Sequence, residues 1–206
     1  MTNHEPLIDP VYLSELRPTQ ITVGLREVNE KRRQWREHLD RDGPEFLGRH
    51  MIPVVLGPKG RRYAVDHHHL ARALMDEGVE KVLVDVLADL SGLTKDAFWV
   101  FLDHRSWCYP YDAQGRRVDF ADIPTSVAEM IDDPWRSLAG ELRRAGGFAK
   151  DPTPFSEFLW ADFLRRRMRP KLLERDFPAA LTQALSLANT RDALYRPGWC
   201  GPDPIG

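Results

Sequence analysis

Ile52-Pro53-Val54-Val55-Leu56, Gly57-Pro58-Lys59-Gly60, Arg61-Arg62-Tyr63-Ala64-Val65-Asp66 and His67-His68-His69-Leu70-Ala71-Arg72-Ala73-Leu74-Met75 follow one another without a break, and this stretch decides the fold. Its first and third pieces are short β-rich runs, and the Gly/Pro piece between them reads as the turn of a hairpin. From His67 to Met75 the spacing changes, with Leu70, Ala71 and Leu74 on one helical face and Gly78 placed to stop the helix. Glu80 to Leu87 is alternating to continuously apolar and predicts another strand. Strand, turn, strand, helix, strand is a mixed α/β order.

Upstream, the segment to Gln20 is punctuated by proline, with Leu13, Leu16 and Ile21 as core candidates. Pro18 fixes its own φ and turns Arg17 away from helix, so a strand or turn is expected there. Leu25 to about Leu39 carries Leu25, Val28, Trp35 and Leu39 on one helical face, with Lys31, Arg32, Arg33 and Arg36 on the rest. Downstream, Thr94-Lys95-Asp96-Ala97 opens a helix that enters an aromatic stretch ending at Tyr111, and Asp112 to Arg116 is a turn. Helical segments are expected around Ser126 to Ile131, from Pro134 to Arg144, from Pro152 to Met168 with Pro170 as its end, and from about Ala179 to Leu187. The tail from Tyr195, rich in Pro and Gly, is expected to be irregular. The predicted organisation is an α/β core over 1–93 and a mostly helical extension over 94–206 packed on it as one structural unit.

A chain of 206 residues suits one domain or one domain with an appendage. Its formal net charge of −2 argues against affinity dominated by a phosphate-backbone footprint, although a local basic patch survives such a balance. Cys108 and Cys200 lack Cys-x-x-Cys spacing, so neither a disulfide framework nor a zinc ribbon is supported. The N-terminus shows no basic region followed by an apolar stretch, and no apolar run approaches the ~20 residues that span a bilayer. A reduced, cytoplasmic location without membrane contact is the expectation.

The chemistry concentrates at Asp66-His67-His68-His69. A strand feeding straight into a helix leaves the first helical N–H groups pointing outward, a natural seat for an anion. Asp66 stands where an N-cap is wanted, so its carboxylate could satisfy the N–H of His68 or His69 instead of acting on a ligand. Three successive histidines project about 100° apart on a helix, so at least one should face the mouth of the junction. There it could contact phosphate or move a proton near neutral pH. The i, i+4 spacing of zinc-binding helices is absent.

The pattern from Pro53-Val54-Val55 through Tyr63-Ala64-Val65-Asp66-His67-His68-His69-Leu70-Ala71 resembles the ParB/sulfiredoxin superfamily, in particular its ParB-like nuclease group. Leu16-Arg17-Pro18-Thr19-Gln20 with Val23-Gly24 and Val28 resembles that group's opening motif, and Asp103-His104-Arg105-Ser106-Trp107 matches it too. The likeness runs from about Leu13 to Leu90. His67 stands where relatives often carry Gly, and Leu70 where they often carry Arg. The reactive cysteine of sulfiredoxin is missing from the motif, and the helix-turn-helix and dimerisation parts of chromosome-partitioning ParB are not recognisable, so sulfinic acid repair and centromere binding are not expected.

The resemblance implies a ParB/sulfiredoxin-like mixed sheet with helices in a bacterial-type enzyme that handles a nucleotide or phosphodiester by phosphoryl transfer or hydrolysis. In such chemistry positioning and charge neutralisation do most of the work. It implies Asp66, His68, His69 and Glu27 as catalytic candidates, with Glu30 beside Glu27 as a second carboxylate. His67, His68, His69, Arg26, His104 and Arg105 are the phosphate or nucleotide contacts, and Asp66 would hold a divalent ion such as Mg or Mn. ATP, ADP or CTP and nucleic acid are the ligands it suggests. Phe101, Trp107 and Tyr109 flank Asp103-His104-Arg105 as a candidate pocket wall. Convergence of His104 with His68 or His69 and Asp66 would make a divalent-metal site. The alternative is a non-catalytic nucleotide- or DNA-binding module anchored by Arg165-Arg166-Arg167-Met168-Arg169, or a protein-interaction domain of the same fold.

Overall fold

A computed structural model describes residues 10–42 and 50–202, and the side chain of Leu39, a proposed core position, lies outside that description. By contacts the chain divides into two units: Met1–Thr22, Val28–Asp112 and Arg116–Ile131 form the first, and Val23–Glu27, Ala113–Gly115 and Asp132–Gly206 the second. None of the helices among the described residues is long and apolar enough to cross a membrane.

The first unit holds a mixed five-stranded sheet. β1 (Pro10–Tyr12) runs antiparallel to β6 (Lys81–Asp89), which is parallel to β4 (Ile52–Gly57). β4 pairs antiparallel with β5 (Arg61–Ala64), and β2 (Arg17–Pro18) closes the order as a parallel partner of β5. The β4–β5 hairpin turns at Lys59 (φ 64°) and Gly60 (φ 67°), both left-handed. Two successive positive φ values give the turn whose twist matches the flanking strands. Gly57 at the end of β4 is required for space. A Cβ there would come 2.5 Å from the Tyr63 ring and 2.8 Å from the Phe98 ring.

α2 (His68–Asp76) follows β5 and leads into β6. α1 (Leu25–Asp42) contributes Val28 and Trp35 to the core of this unit. Arg32 and Arg36 of α1 both reach Glu77 at 2.6 Å. The Arg36 guanidinium, and then that of Arg32, draw the Glu77 carboxyl down to about 2. α3 (Lys95–His104) starts at Thr94, whose hydroxyl accepts the Ala97 N–H. Its Phe98, Trp99 and Leu102 pack with Val55, Tyr63 and Ile21. The expected boundary at residue 93 therefore falls inside the first unit, because this aromatic face is part of the same core.

Two of the crossings between the units fall within β3 (Thr22–Val23) and β7 (Ile131–Asp132). The second unit is helical: α4 (Pro134–Arg144), α5 (Ser156–Arg165), α6 (Pro170–Arg175) and α7 (Phe177–Ala188). Leu138, Leu142, Trp160, Phe163 and Leu164 are its buried centre, with Trp160 stacked on Phe148 at 4.5 Å. Asp133 caps α4, accepting the N–H groups of Trp135 and Arg136. The segment expected as a helix around Ser126 to Ile131 is only a 3-10 turn, Val127–Glu129, followed by β7. α5 ends at Arg165, short of the limit expected at Met168, and Pro170 opens α6, where a proline at the first helical position loses no needed donor.

Candidate functional site

β5 ends at Ala64, and Val65 and Asp66 lead to His67, which stands before α2 in the left-handed region at φ 59°, ψ 26°. That conformation explains why a glycine is the usual choice at such a junction: only glycine takes it without a steric cost. It also changes the capping expected from sequence. The Asp66 Oδ1 accepts the N–H of His67 at 2.6 Å, and the His67 side chain makes no cap bond to the first turn of α2. The left-handed residue interposes a sharp turn, so the carboxylate meets the adjacent N–H.

The three histidines have different fates. His67 is exposed, and its Nδ1 lies 3.1 Å from the carbonyl oxygen of Met51. A carbonyl can only accept, so this contact places the ring proton on Nδ1 and leaves Nε2 as an acceptor at the surface. His68 is 4% exposed, and its Nε2 accepts the backbone N–H of Thr19 at 3.1 Å. The Thr19 hydroxyl donates to the Ala64 carbonyl at 2.9 Å. Protonating Nε2 of His68 would set one donor against another inside the core. Desolvation accordingly pushes the His68 imidazole down to about 4, against the smaller opposing pull of the Asp66 charge. His68 is thus a neutral imidazole that ties the junction to the segment after β2. His69 is also buried. The mouth is formed by Asp66 and His67, both exposed. Thr19 and Met51 are the partners that sequence reasoning did not assign, and nothing in their local spacing could have revealed them.

The other candidate residues sit elsewhere. Glu27 belongs to the second unit, where its Oε2 takes a hydrogen bond from Arg136 at 3.0 Å, and both side chains are largely buried. Arg26, in the same unit, lies with its guanidinium 3.8 Å above the Phe177 ring. His104 is exposed at the end of α3, Arg105 stacks over Trp107 at 4.9 Å, and Asp103 pairs with Arg117. Among the described residues no three His, Cys, Asp or Glu side chains gather as metal ligands, so the thought of His104 joining Asp66 is not realised. The basic run at the end of α5 is engaged within its own unit: Arg165 with Asp133 and Asp162, Arg166 with Asp162, Arg167 over Phe163. Burial pushes the Cys108 thiol up to about 12, which makes it a packing residue and not a nucleophile.

Comparison with known proteins agrees with this architecture. The family model described as "Putative ParB-like nuclease" matches residues 10–166. No curated protein sequence matches the chain. Among solved structures, the crystal structure of protein Atu1540 from Agrobacterium tumefaciens is similar at 52% identity, with a TM-score of 0.89, over 96% of this chain and 100% of that one. On the strength of a match that spans the sheet, the junction and α3, the chain belongs to the ParB-like nuclease family.

Proposed function

We propose that the protein is a nucleotide- or phosphodiester-handling enzyme that seats a phosphate at the Asp66–His69 junction. The observation that carries this reading is the exposed Asp66–His67 pair set directly before α2, with His67 in the left-handed region. The helix dipole favours an anion at that point. His67, with its proton held on Nδ1 by the Met51 carbonyl, has Nε2 available to accept a proton from an attacking water or hydroxyl. His68 and His69 act from behind, as buried residues that hold the turn in place.

Asp66 would hold the divalent ion in this scheme. A single carboxylate suits Mg²⁺ or Mn²⁺ held jointly with substrate phosphates and waters, and does not suit a transition metal bound by protein ligands alone. When bound, such an ion would neutralise charge on the phosphate. The oxygen Oδ1 of Asp66 is used by the His67 N–H, which leaves Oδ2 for that task. Glu27, ion-paired to Arg136, supports a structural role in the second unit better than that of a general base.

The test is turnover of labelled single- and double-stranded DNA, RNA, ATP, ADP and CTP with Mg²⁺ or Mn²⁺, comparing the wild type with Asp66→Asn and His67→Gln. Both side chains are exposed, so both variants should fold. Loss of about 100-fold or more in rate, in the range of general acid–base and electrostatic contributions, is expected in each. Full activity in both variants would remove the junction as the catalytic site. Binding without any product would favour the non-catalytic module.

A further inference from the structure

A second feature of the first unit lies at the other end of β5. A groove of about 570 Å³ opens beside the β4–β5 turn, with Tyr63, Trp99 and Phe120 as its floor. The floor is rigid: Trp99 and Phe120 stack at 5.8 Å with 11° between their planes, and Tyr63 meets Trp99 edge-on at 5.6 Å. Gly57 permits Tyr63 to lie there at all. Around this floor stand Arg17, Lys59, Arg61 and Lys95. None of these four cations has a carboxylate partner among the described residues.

The placement of the cations follows from the fold. Arg17 is paired with Tyr63 in the parallel β2–β5 register, and Arg61 shares the Tyr63 face two residues earlier on the strand. Lys59 is carried on the left-handed turn, a conformation that costs a side-chain-bearing residue about 1 kcal/mol or more. Lys95 begins α3. Hollows adjoin the groove on both sides. One of about 290 Å³ shares Arg17, Arg61 and Thr125 with it and adds Arg62. The other, of about 210 Å³, shares Lys95, Trp99 and Phe120. The carboxylates near these ends are Glu15, within 3.7 Å of Arg62, Asp119, whose Oδ1 accepts the Ala121 N–H, and Asp96. No carboxylate lines the central groove.

We infer that this track binds a segment of single-stranded nucleic acid, with bases against the aromatic floor and phosphates along the cations. A single anion would need one or two cations at a point. Four unpaired cations spread along a hollow that continues past both ends fit a polyanion instead. An apolar, aromatic floor under a cationic rim is the arrangement by which strands are held without regard to sequence. Arg61 begins β5 and Asp66 lies beyond its end at Ala64, the strand alone spanning roughly 10 Å at about 3.3 Å per residue, so track and junction are distinct sites. The inference rests on the nucleic-acid side of the function proposed above, and on none of its catalytic assignments.

Fluorescence anisotropy with a labelled oligodeoxythymidylate of about 15 nucleotides tests it, since single-strand sites span about 4–16 nucleotides. With four phosphate contacts, log affinity should fall with log salt at a slope of about −2.8, so a fourfold rise in salt weakens binding by about 50-fold. The double variant Arg61→Glu, Lys95→Glu should lose about tenfold or more in affinity and flatten the slope by about 1.4. Lys150→Glu, at an exposed lysine of the second unit, should bind as the wild type does, which separates the groove from a general effect of charge. No binding by the wild type at low salt overturns the inference. So does an unchanged slope in the double variant, whatever the cleavage assay shows. Displacement of the oligomer by thymidine monophosphate at the oligomer's own dissociation constant would make the groove a mononucleotide site and overturn the strand.

Discussion

Acidification should expose the buried histidine of the junction. His68 is depressed from 6.5 to about 4 by its burial, whereas in the unfolded chain it titrates near its ordinary value. The unfolded state therefore takes up a proton as pH falls through 6.5 and the folded state does not until near 4. The associated stability is fully present above pH 6.5 and is lost progressively between about 6.5 and 4. Integrated from pH 8 to pH 5 this is about 2 kcal/mol, approaching about 3 kcal/mol below pH 4. The perturbation that isolates it is His68→Gln, which does not titrate and offers an amide oxygen for the Thr19 N–H in place of Nε2. Urea denaturation of both proteins, followed by circular dichroism at pH 8, 7, 6 and 5, gives the two stability curves. Other histidines and carboxylates titrate equally in both proteins, so the difference between the curves carries the His68 contribution. The wild type should lose about 2 kcal/mol more than the variant on going to pH 5. Parallel curves would mean that His68 is not buried neutral, and the account of the junction would fail with it.

Three further expectations concern single side chains. His67→Val forces a β-branched residue into the left-handed region and should cost about 1–2 kcal/mol by urea denaturation. His67→Gly should instead stay within about 1 kcal/mol of the wild type, because relief of the backbone offsets glycine's extra unfolded-state freedom and the lost Met51 contact. Glu27→Ala leaves the Arg136 guanidinium buried without its carboxylate, and a loss of about 3–5 kcal/mol is expected in the same assay. A loss below 1 kcal/mol would show that water reaches that pair. Gly57→Ala drives a methyl group to within 2.5 Å of the Tyr63 ring, and should destabilise the protein by about 1–3 kcal/mol through displacement of the aromatic floor. A neutral result in a thermal melt would mean that the floor is soft.

The hairpin, α2 and β6 were legible because each is set by local pattern and turn chemistry: the apolar run of β4 and the β-rich run of β5, Gly57 to Gly60 at the turn, and Leu70, Ala71 and Leu74 at helical spacing. The α4 limits, Pro134 to Arg144, were legible for the same reason, with Asp133 and Pro134 at its start. The place of Pro170 as the first residue of α6 was not, since proline reads equally well as the end of one helix and the beginning of another. The departure from glycine at His67 marked the residue that carries a positive φ.

What the tertiary structure alone decided is which of those histidines meets solvent. Neighbours in sequence are dispersed by about 100° on a helix, and whether a given direction points into a core depends on what packs there. Thr19, remote in sequence, takes His68 into the interior, while Met51 holds His67 at the surface. Glu27 read as a candidate base and Arg26 as a phosphate contact because their partners, Arg136 and Phe177, lie more than a hundred residues away in the chain. The cationic groove was invisible for the same reason. Arg17, Lys59, Arg61 and Lys95 form no run in the sequence, and only the register of β2 on β5 and the packing of α3 set them around one aromatic floor.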